Sequence, residues 1–204
     1  MKKLLAIVAL VVLSATASFA QLGLRAGLNF ASLGVDDKDV KDFIDTKSGF
    51  HIGAVYNVDL IGSFSLEPGL YFTQKGFKQD ESDLKATTNY LEIPINLKYQ
   101  LLDLSVIALD AHVGPFMSMG LSGKIKEDFM GAKEEFKAFD EDEGGLKRFE
   151  FGLQMGIGAK ICEKLYAGIH YDMGLTKINE DDGISKDNLK ETNHVWMVSV
   201  GLNF

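Results

Sequence analysis

Period-two alternation of apolar and polar side chains constrains this fold more than any other feature of the chain. Successive side chains on a β-strand point to opposite faces, so alternation reads as a strand with one apolar and one polar face. The first run sets Leu22, Leu24, Ala26, Leu28 and Phe30 against Gly23, Arg25, Gly27 and Asn29. Equivalent runs begin at Phe50, Phe64, Leu91, Ile107, Phe149, Leu165 and Trp196. Runs of roughly ten residues or more suit strands tilted across a hydrocarbon layer. An even number of them suits a closed bacterial membrane barrel. The connections alternate in length: short ones fall near 60–62, 102–104 and 162–164, long ones over about 32–48, 78–88, 122–147 and 177–193. The expected fold is all-β, an eight-stranded antiparallel up-and-down transmembrane β-barrel.

The N-terminus reads as an export signal. Lys2 and Lys3 precede an unbroken apolar run from Leu4 to Leu13, and small residues lead to Ser18-Phe19-Ala20. A basic start, an apolar middle and small residues before the cut form a secretory signal peptide. The apolar run is too short for a spanning helix, which needs ~20 such residues. The expected division is a cleaved signal peptide over 1–20 and a barrel domain over 21–204, with cleavage before Gln21. Loss of two lysines and no acid takes the formal charge of −8 to −10. The only cysteine is Cys162, so no lipid-anchoring cysteine follows the cut, and no disulfide framework or multi-cysteine metal centre can form. The acidic balance argues against nucleic acid as a partner.

Two closed barrels share this period with opposite faces inside. A soluble lipocalin-like lipid carrier turns its apolar face inward, and a membrane barrel turns it outward. The polar face decides between them. It carries Arg25, Glu67, Lys75, Glu92, Lys98, Asp110, Glu150, Lys160 and Asp172, interspersed with a dozen glycines. Glycine weakens a strand and gains nothing on a wet surface. In an eight-stranded lumen, with room for side chains only, it makes space for long charged groups. These nine residues are therefore expected to form a structural charge network in the lumen. Replacing Arg25 or Lys98 with Met is expected to lower stability by orphaning a carboxylate. Such a lumen is packed, so negligible conductance is expected. Tyr56, Tyr99, Tyr171 and Trp196 lie on the apolar face, as amphipathic aromatics at a membrane–water boundary do. Pro68, Pro94 and Pro115 fall inside runs, where each deletes a ladder donor, so bulges or strand ends are expected there.

The search for chemistry yields little. His51, His112 and His170 share the lumen parity, and His194 stands near a strand edge. His170 and Asp172 are neighbours on one face, and Ser118 is a lumen hydroxyl. A hydrolase needs a nucleophile, a base and an orienting group within reach. No motif assembles them, and no catalytic, cofactor-binding or metal-ligating residue is assigned. A buried hydrogen-bonded network accounts for these groups. Cys162, at a short turn, reads as incidental.

The four long connections hold 21 of the 29 acids and 13 lysines, densest at Asp140-Glu141-Asp142-Glu143. That run lacks a calcium-loop pattern. It reads as a solvated segment, in loops where a barrel carries recognition of an envelope or extracellular protein.

Several motifs point to a family. They are Gly27-Leu28-Asn29-Phe30 with Ser32-Leu33; Gly49-Phe50-His51-Ile52-Gly53; Leu66-Glu67-Pro68-Gly69-Leu70-Tyr71 with Lys75-Gly76; Tyr90-Leu91-Glu92-Ile93-Pro94; Gly114-Pro115; and Tyr171, Gly174, Leu175 and the final Phe204. The chain resembles the outer-membrane β-barrel family of Bacteroidetes that includes PorT-like proteins. Gly69 stands where that family often has an acid. The resemblance implies a Gram-negative outer-membrane location and a structural, interaction or secretion-supporting role. The terminal strand, with Trp196, Val198, Val200, Leu202 and Phe204 alternating, resembles the signal read by the barrel-assembly machinery. The expected state is a monomer in outer-membrane lipid, with no cofactor. The alternatives are an outer-membrane lipid-modifying enzyme, of deacylase or acyltransferase type, and the soluble carrier.

Overall fold

The computed structural model describes residues 21–34, 44–79, 84–104, 106–129, 132–139, 146–177 and 192–204. The expected signal peptide and the acidic run 140–143 lie outside the described residues. The strands are β1 (Leu22–Gly34), β2 (Ile44–Tyr56), β3 (Val58–Asp59), β4 (Phe64–Gln79), β5 (Leu84–Asp103), β6 (Ile107–Phe129), β7 (Ala132–Lys137), β8 (Phe149–Ile161), β9 (Leu165–Gly174) and β10 (Thr192–Asn203). β1 pairs antiparallel with both β2 and β10. β2 pairs with β4, and the ladder continues through β5, β6, β8 and β9 to β10. Eight strands thus close on themselves, so their ladders leave no open edge. β3 prolongs β2 beyond Asn57, and β7 pairs only with the outer end of β6. His194, expected near an edge, lies within the closed ladder opposite Ser32 and Met173.

The alternation in the sequence maps onto the two faces of the wall. On β5, Ile93, Ile95, Leu97 and Tyr99 are exposed, while Glu92, Pro94, Asn96 and Lys98 are buried. Leu28 is 58% exposed and Ile157 60%, whereas Glu92 is at 0% and Lys75 at 1%. The apolar side chains clothe the outside and the charged ones fill the inside, which excludes the greasy interior of a carrier. On β4 the outward column Phe64, Leu66, Pro68, Leu70, Phe72 rises by about 20–25 Å for a tilted strand, the height of a membrane barrel's apolar band. Aromatic pairs mark its two ends. Phe64 and Tyr99 lie 4.9 Å apart toward the short turns, and Tyr171 and Trp196 lie 4.8 Å apart toward the long loops.

The prolines differ from expectation. Register shifts occur between Thr46 and His51, Asn89 and Tyr90, and Gln100 and Leu102, none of them at a proline. Pro68 faces Ile95 and Pro94 faces Phe116 in an unbroken register; pairing lapses only over Ile93–Pro94 on one side of β5 and Ile95–Asn96 on the other. The missing donors thin the ladder locally, and the neighbouring pairs hold the alignment.

The turn between β8 and β9 has both Cys162 (φ 49°) and Glu163 (φ 60°) in the left-handed region. That conformation is the type I′ hairpin turn, which matches strand twist but suits Asn-Gly better than two residues bearing ordinary side chains. Cys162 is a free, exposed thiol at this tip.

Candidate functional site

Strand parity carries the charged residues into the lumen, where they form two tiers. Toward the turns, Glu67 accepts Lys98 at 3.0 Å and lies 3.9 Å from Arg25. Lys98 also reaches Asp110 at 3.4 Å. The Arg25 guanidinium lies over the Tyr166 ring, 3.9 Å from its centroid, and donates to Asn203 at 2.7 Å. Tyr166 fits because glycine stands beside it: a Cβ at Gly168 would fall 2.5 Å from its hydroxyl. Toward the loops, Lys75 bridges Glu92 at 2.7 Å and Glu150 at 3.2 Å, under the faces of Phe116 and Tyr90. Ser118 donates to Glu92, and Asn193 to Glu150.

Neutral groups link the tiers. Asn96 donates to Gln154 at 2.6 Å, and Gln154 donates to the fully buried Asp172 at 2.8 Å. Of the three lumen histidines only His112 and His170 meet, ring nitrogen to ring nitrogen at 2.8 Å. His112 also faces Asp110 at 3.5 Å. His51 turns away from that pair, bonded to Asn29 at 2.6 Å and Ser199 at 2.8 Å. Ser118, the one hydroxyl considered as a nucleophile, is wholly buried and serves a carboxylate rather than a histidine. Among the described residues no group of three or more His, Cys, Asp or Glu is arranged to hold a metal ion.

Lys160 departs from the expected network. It is exposed at the turn-end mouth, where it lines a cavity of about 190 Å³ with Arg25, Glu67, Asp110 and Glu163. Parity assigns a face but not a depth, and Lys160 sits one residue from the end of β8. Trp196 and Phe204 are both exposed on the outer wall, and the Phe204 N–H closes onto the Leu22 carbonyl at 2.9 Å.

Two features escaped the sequence. The third long connection is not wholly solvated: Ala138 and Phe139 are buried at the loop-end mouth, with Phe139 edge-on to Tyr90 at 5.6 Å. Arg148 holds it there by donating to the Phe139 carbonyl at 3.2 Å. On the outer wall, His194 bonds the hydroxyls of Tyr171 and Thr192 beside Trp196. A lone aromatic among acids, and a histidine whose neighbours lie across a ladder, carry no periodic signal.

Residues 14–180 match the family described as outer membrane protein beta-barrel domain. The chain belongs to this family. It is an outer-membrane barrel, and its wall is the surface that meets lipid. Among solved structures it is similar to Ail, the attachment invasion locus protein of Yersinia pestis, at 14% identity, covering 91% of this chain and 99% of that one with a TM-score of 0.45. It is similar to Neisserial surface protein A at 15% identity, covering 90% and 97%, with a TM-score of 0.46. It is similar to the outer membrane enzyme PagL at 11% identity, covering 89% and 99%, with a TM-score of 0.48. No curated protein matches the chain.

Proposed function

We propose that this outer-membrane barrel is of PorT-like type and acts as a structural, interaction or secretion-supporting protein, monomeric and without a wide pore or catalysis. The observation that carries this reading is the lumen. Lys75 joins β4 to β5 and β8, and Lys98 joins β5 to β4 and β6, so ion pairs span the interior where a channel needs water. The polar groups that resemble catalytic parts are committed to one another and shut away from substrate. What remains for recognition is the set of long loops, whose acidic balance suits a basic envelope or extracellular partner. In this reading the leader over 1–20 is removed before Gln21. The terminal strand with Trp196 and Phe204 is read by the assembly machinery, and the termini and short turns face the periplasm.

The test has two arms. Purified barrel in planar bilayers gives no steady single-channel openings, and crosslinking on intact cells retains a protein that is lost when Asp140, Glu141, Asp142 and Glu143 become Asn or Gln. Large, lasting openings, or crosslinking indifferent to those substitutions, overturn the reading.

A second reading, a lipid-modifying enzyme, attaches to His194, whose ring contacts two hydroxyls on the lipid-facing wall. It requires a change in lipid A mass in a deletion strain that wild-type chain restores and His194→Ala does not.

A further inference from the structure

The short turns enclose more than the pocket already described. Outward from Arg25, Glu67 and Asp110 the turn-end mouth widens into a cup of about 700 Å³. Asp59, Gln100, Lys160 and Asn203 line both spaces, so the two form one funnel that opens at the turn end. Backbone hydrogen bonds fix its rim. The Gln100 N–H donates to the Ser63 carbonyl at 2.8 Å, that of Cys162 to Val106 at 2.8 Å, and that of Asn203 to Lys164 at 2.7 Å. Each short turn is thereby tied to a neighbouring strand or turn. A concave site of this volume, formed before anything enters it, is of the kind that binds a ligand without large rearrangement.

Charge is divided across this mouth. In the ring of strands, β8 stands four strands from β2 in either direction. Because β3 prolongs β2, Asp59 and Lys160 line the cup from opposite walls. Asp103, which ends β5, shares the half of Asp59, and Lys164, in the β8–β9 turn, shares the half of Lys160. All four are exposed. Asp59 accepts the neutral Asn57 amide at 2.7 Å, which leaves its charge in place. Glu163 follows on the lysine side and leaves that wall cationic by one charge. The deeper Arg25, Glu67, Lys98 and Asp110 are already committed to one another. Apolar side chains crown the acidic half: Leu104 and Val106, in the β5–β6 turn, are 58% and 59% exposed, and Ile61, in the adjoining turn, is 88% exposed. Leu104 lies about 10 Å past Tyr99 along the tilted hairpin, beyond the aromatic pair that ends the apolar band. Uncovered apolar groups beside a polarised cup mark an interaction surface.

We propose that this cup docks an extended segment of a periplasmic protein that carries an apolar, a basic and an acidic side chain at alternate positions. The basic group sits between Asp59 and Asp103, the acidic group at Lys160 and Lys164, and the apolar group on Leu104 and Val106. Width decides for a polypeptide over a free amino acid. Strands about 4.8 Å apart and tilted near 40° leave roughly 15 Å between facing backbones of an eight-stranded barrel. A free amino acid holds its two charges only about 3 Å apart. An extended chain sets alternate side chains about 7 Å apart on one face, and their own reach closes the remaining distance. The inference rests on the proposed orientation, with short turns toward the periplasm, and adds a partner surface at that end.

The probe is a dye-labelled peptide, Leu-Ser-Lys-Ser-Glu with both ends blocked, added to detergent-solubilised full-length barrel and read by fluorescence anisotropy. Wild type binds it, and the same peptide with Gln for both Lys and Glu binds more weakly. D59N/D103N and K160Q/K164Q each weaken binding about fivefold, the effect of losing two exposed ion pairs, while keeping a heat-modifiable compact band on gels. If either double variant fails to fold, L104S is used, with about a fivefold loss expected from the uncovered apolar contact. No binding by wild type, equal binding of the Gln peptide, or unchanged affinity in the folded variants overturns the proposal. Displacement of the peptide by anionic phospholipid, or a barrel dimer that both double variants dissolve, assigns the cup to lipid or to a second copy and overturns it as well. Orientation is read separately from Cys162 at the turn end. A membrane-impermeant maleimide leaves it unlabelled on intact cells and labels it once the outer membrane is permeabilised. Labelling on intact cells overturns the periplasmic assignment, whatever the detergent sample binds.

Discussion

Lys75 and Glu92 meet at 2.7 Å with both side chains wholly removed from solvent, and Glu150 completes the contact at 3.2 Å. One ammonium therefore faces two carboxylates directly, and a third, Asp172, lies close enough to act on all of them. Removing this cation leaves like charges buried without compensation, which costs about 3–5 kcal/mol. Lys75→Met is expected to lower the unfolding free energy by that order. Asp172→Asn keeps an oxygen for the Gln154 amide and removes a fully buried carboxyl. It is expected to raise stability by roughly 1 kcal/mol, the scale of a partly compensated charge pair. Urea denaturation in detergent, with gel mobility as the folded signal, checks both. A Lys75→Met barrel as stable as wild type defeats the argument.

Much of this arrangement is legible in the sequence because a strand has only two faces. Once alternation marks the strands, Arg25, Glu67, Lys75, Glu92, Lys98, Glu150 and Asp172 can only point together, and a narrow barrel forces them into contact. Depth and register are not legible. Lys160 shares their parity yet sits at the mouth, because nothing local distinguishes a strand's end from its middle. The pairing of His112 with His170 and the separation of His51 depend on cross-strand register. The prolines mislead for another reason: the rule about lost donors is local, whereas alignment is held by the pairs above and below.

Phe139 is the clearest element outside the periodic pattern, and its role is testable. Its ring lies over Gly120, where a Cβ would fall 2.5 Å from ring carbon. It packs edge-on to Tyr90, with Ile125 and Leu146 beside it. Phe139→Ala empties this space and is expected to cost about 3 kcal/mol. Gly120→Ala pushes the ring out and is expected to destabilise by about 1–3 kcal/mol. Because both act on one contact, the double variant should cost less than the sum of the two single losses. Additive losses in a double-mutant cycle count against a shared site.

The β8–β9 turn offers a gain rather than a loss. Cys162 and Glu163 hold left-handed dihedrals that cost an ordinary residue about 1 kcal/mol each. Both are exposed, so their side chains contribute little packing in return. Cys162→Asn with Glu163→Gly supplies the residue types this turn favours. The pair is expected to raise the unfolding free energy by about 1–2 kcal/mol, chiefly by slowing unfolding, measured as the rate of compact-band loss in urea. A faster loss than wild type refutes the account of the turn.

Lys47 gives stability a dependence on pH whose sign follows from its surroundings. Burial first, then the charges of Lys126 and Lys85, lower its amine from the ordinary 10.5 to about 8 in the folded barrel. The folded state thus disfavours the charged form relative to the unfolded chain. That penalty is fully present below about 8 and is relieved as pH climbs toward 10.5, because the unfolded chain then holds the proton that the folded barrel has released. In lipid-free detergent the denaturation midpoint is expected to rise over this interval. Half-buried and near solvent, Lys47 gives a modest rise, reduced by salt. Lys47→Met has no proton to lose, so its profile should be flatter than that of wild type over the same interval. Parallel profiles for the two proteins contradict the assignment of the effect to this amine.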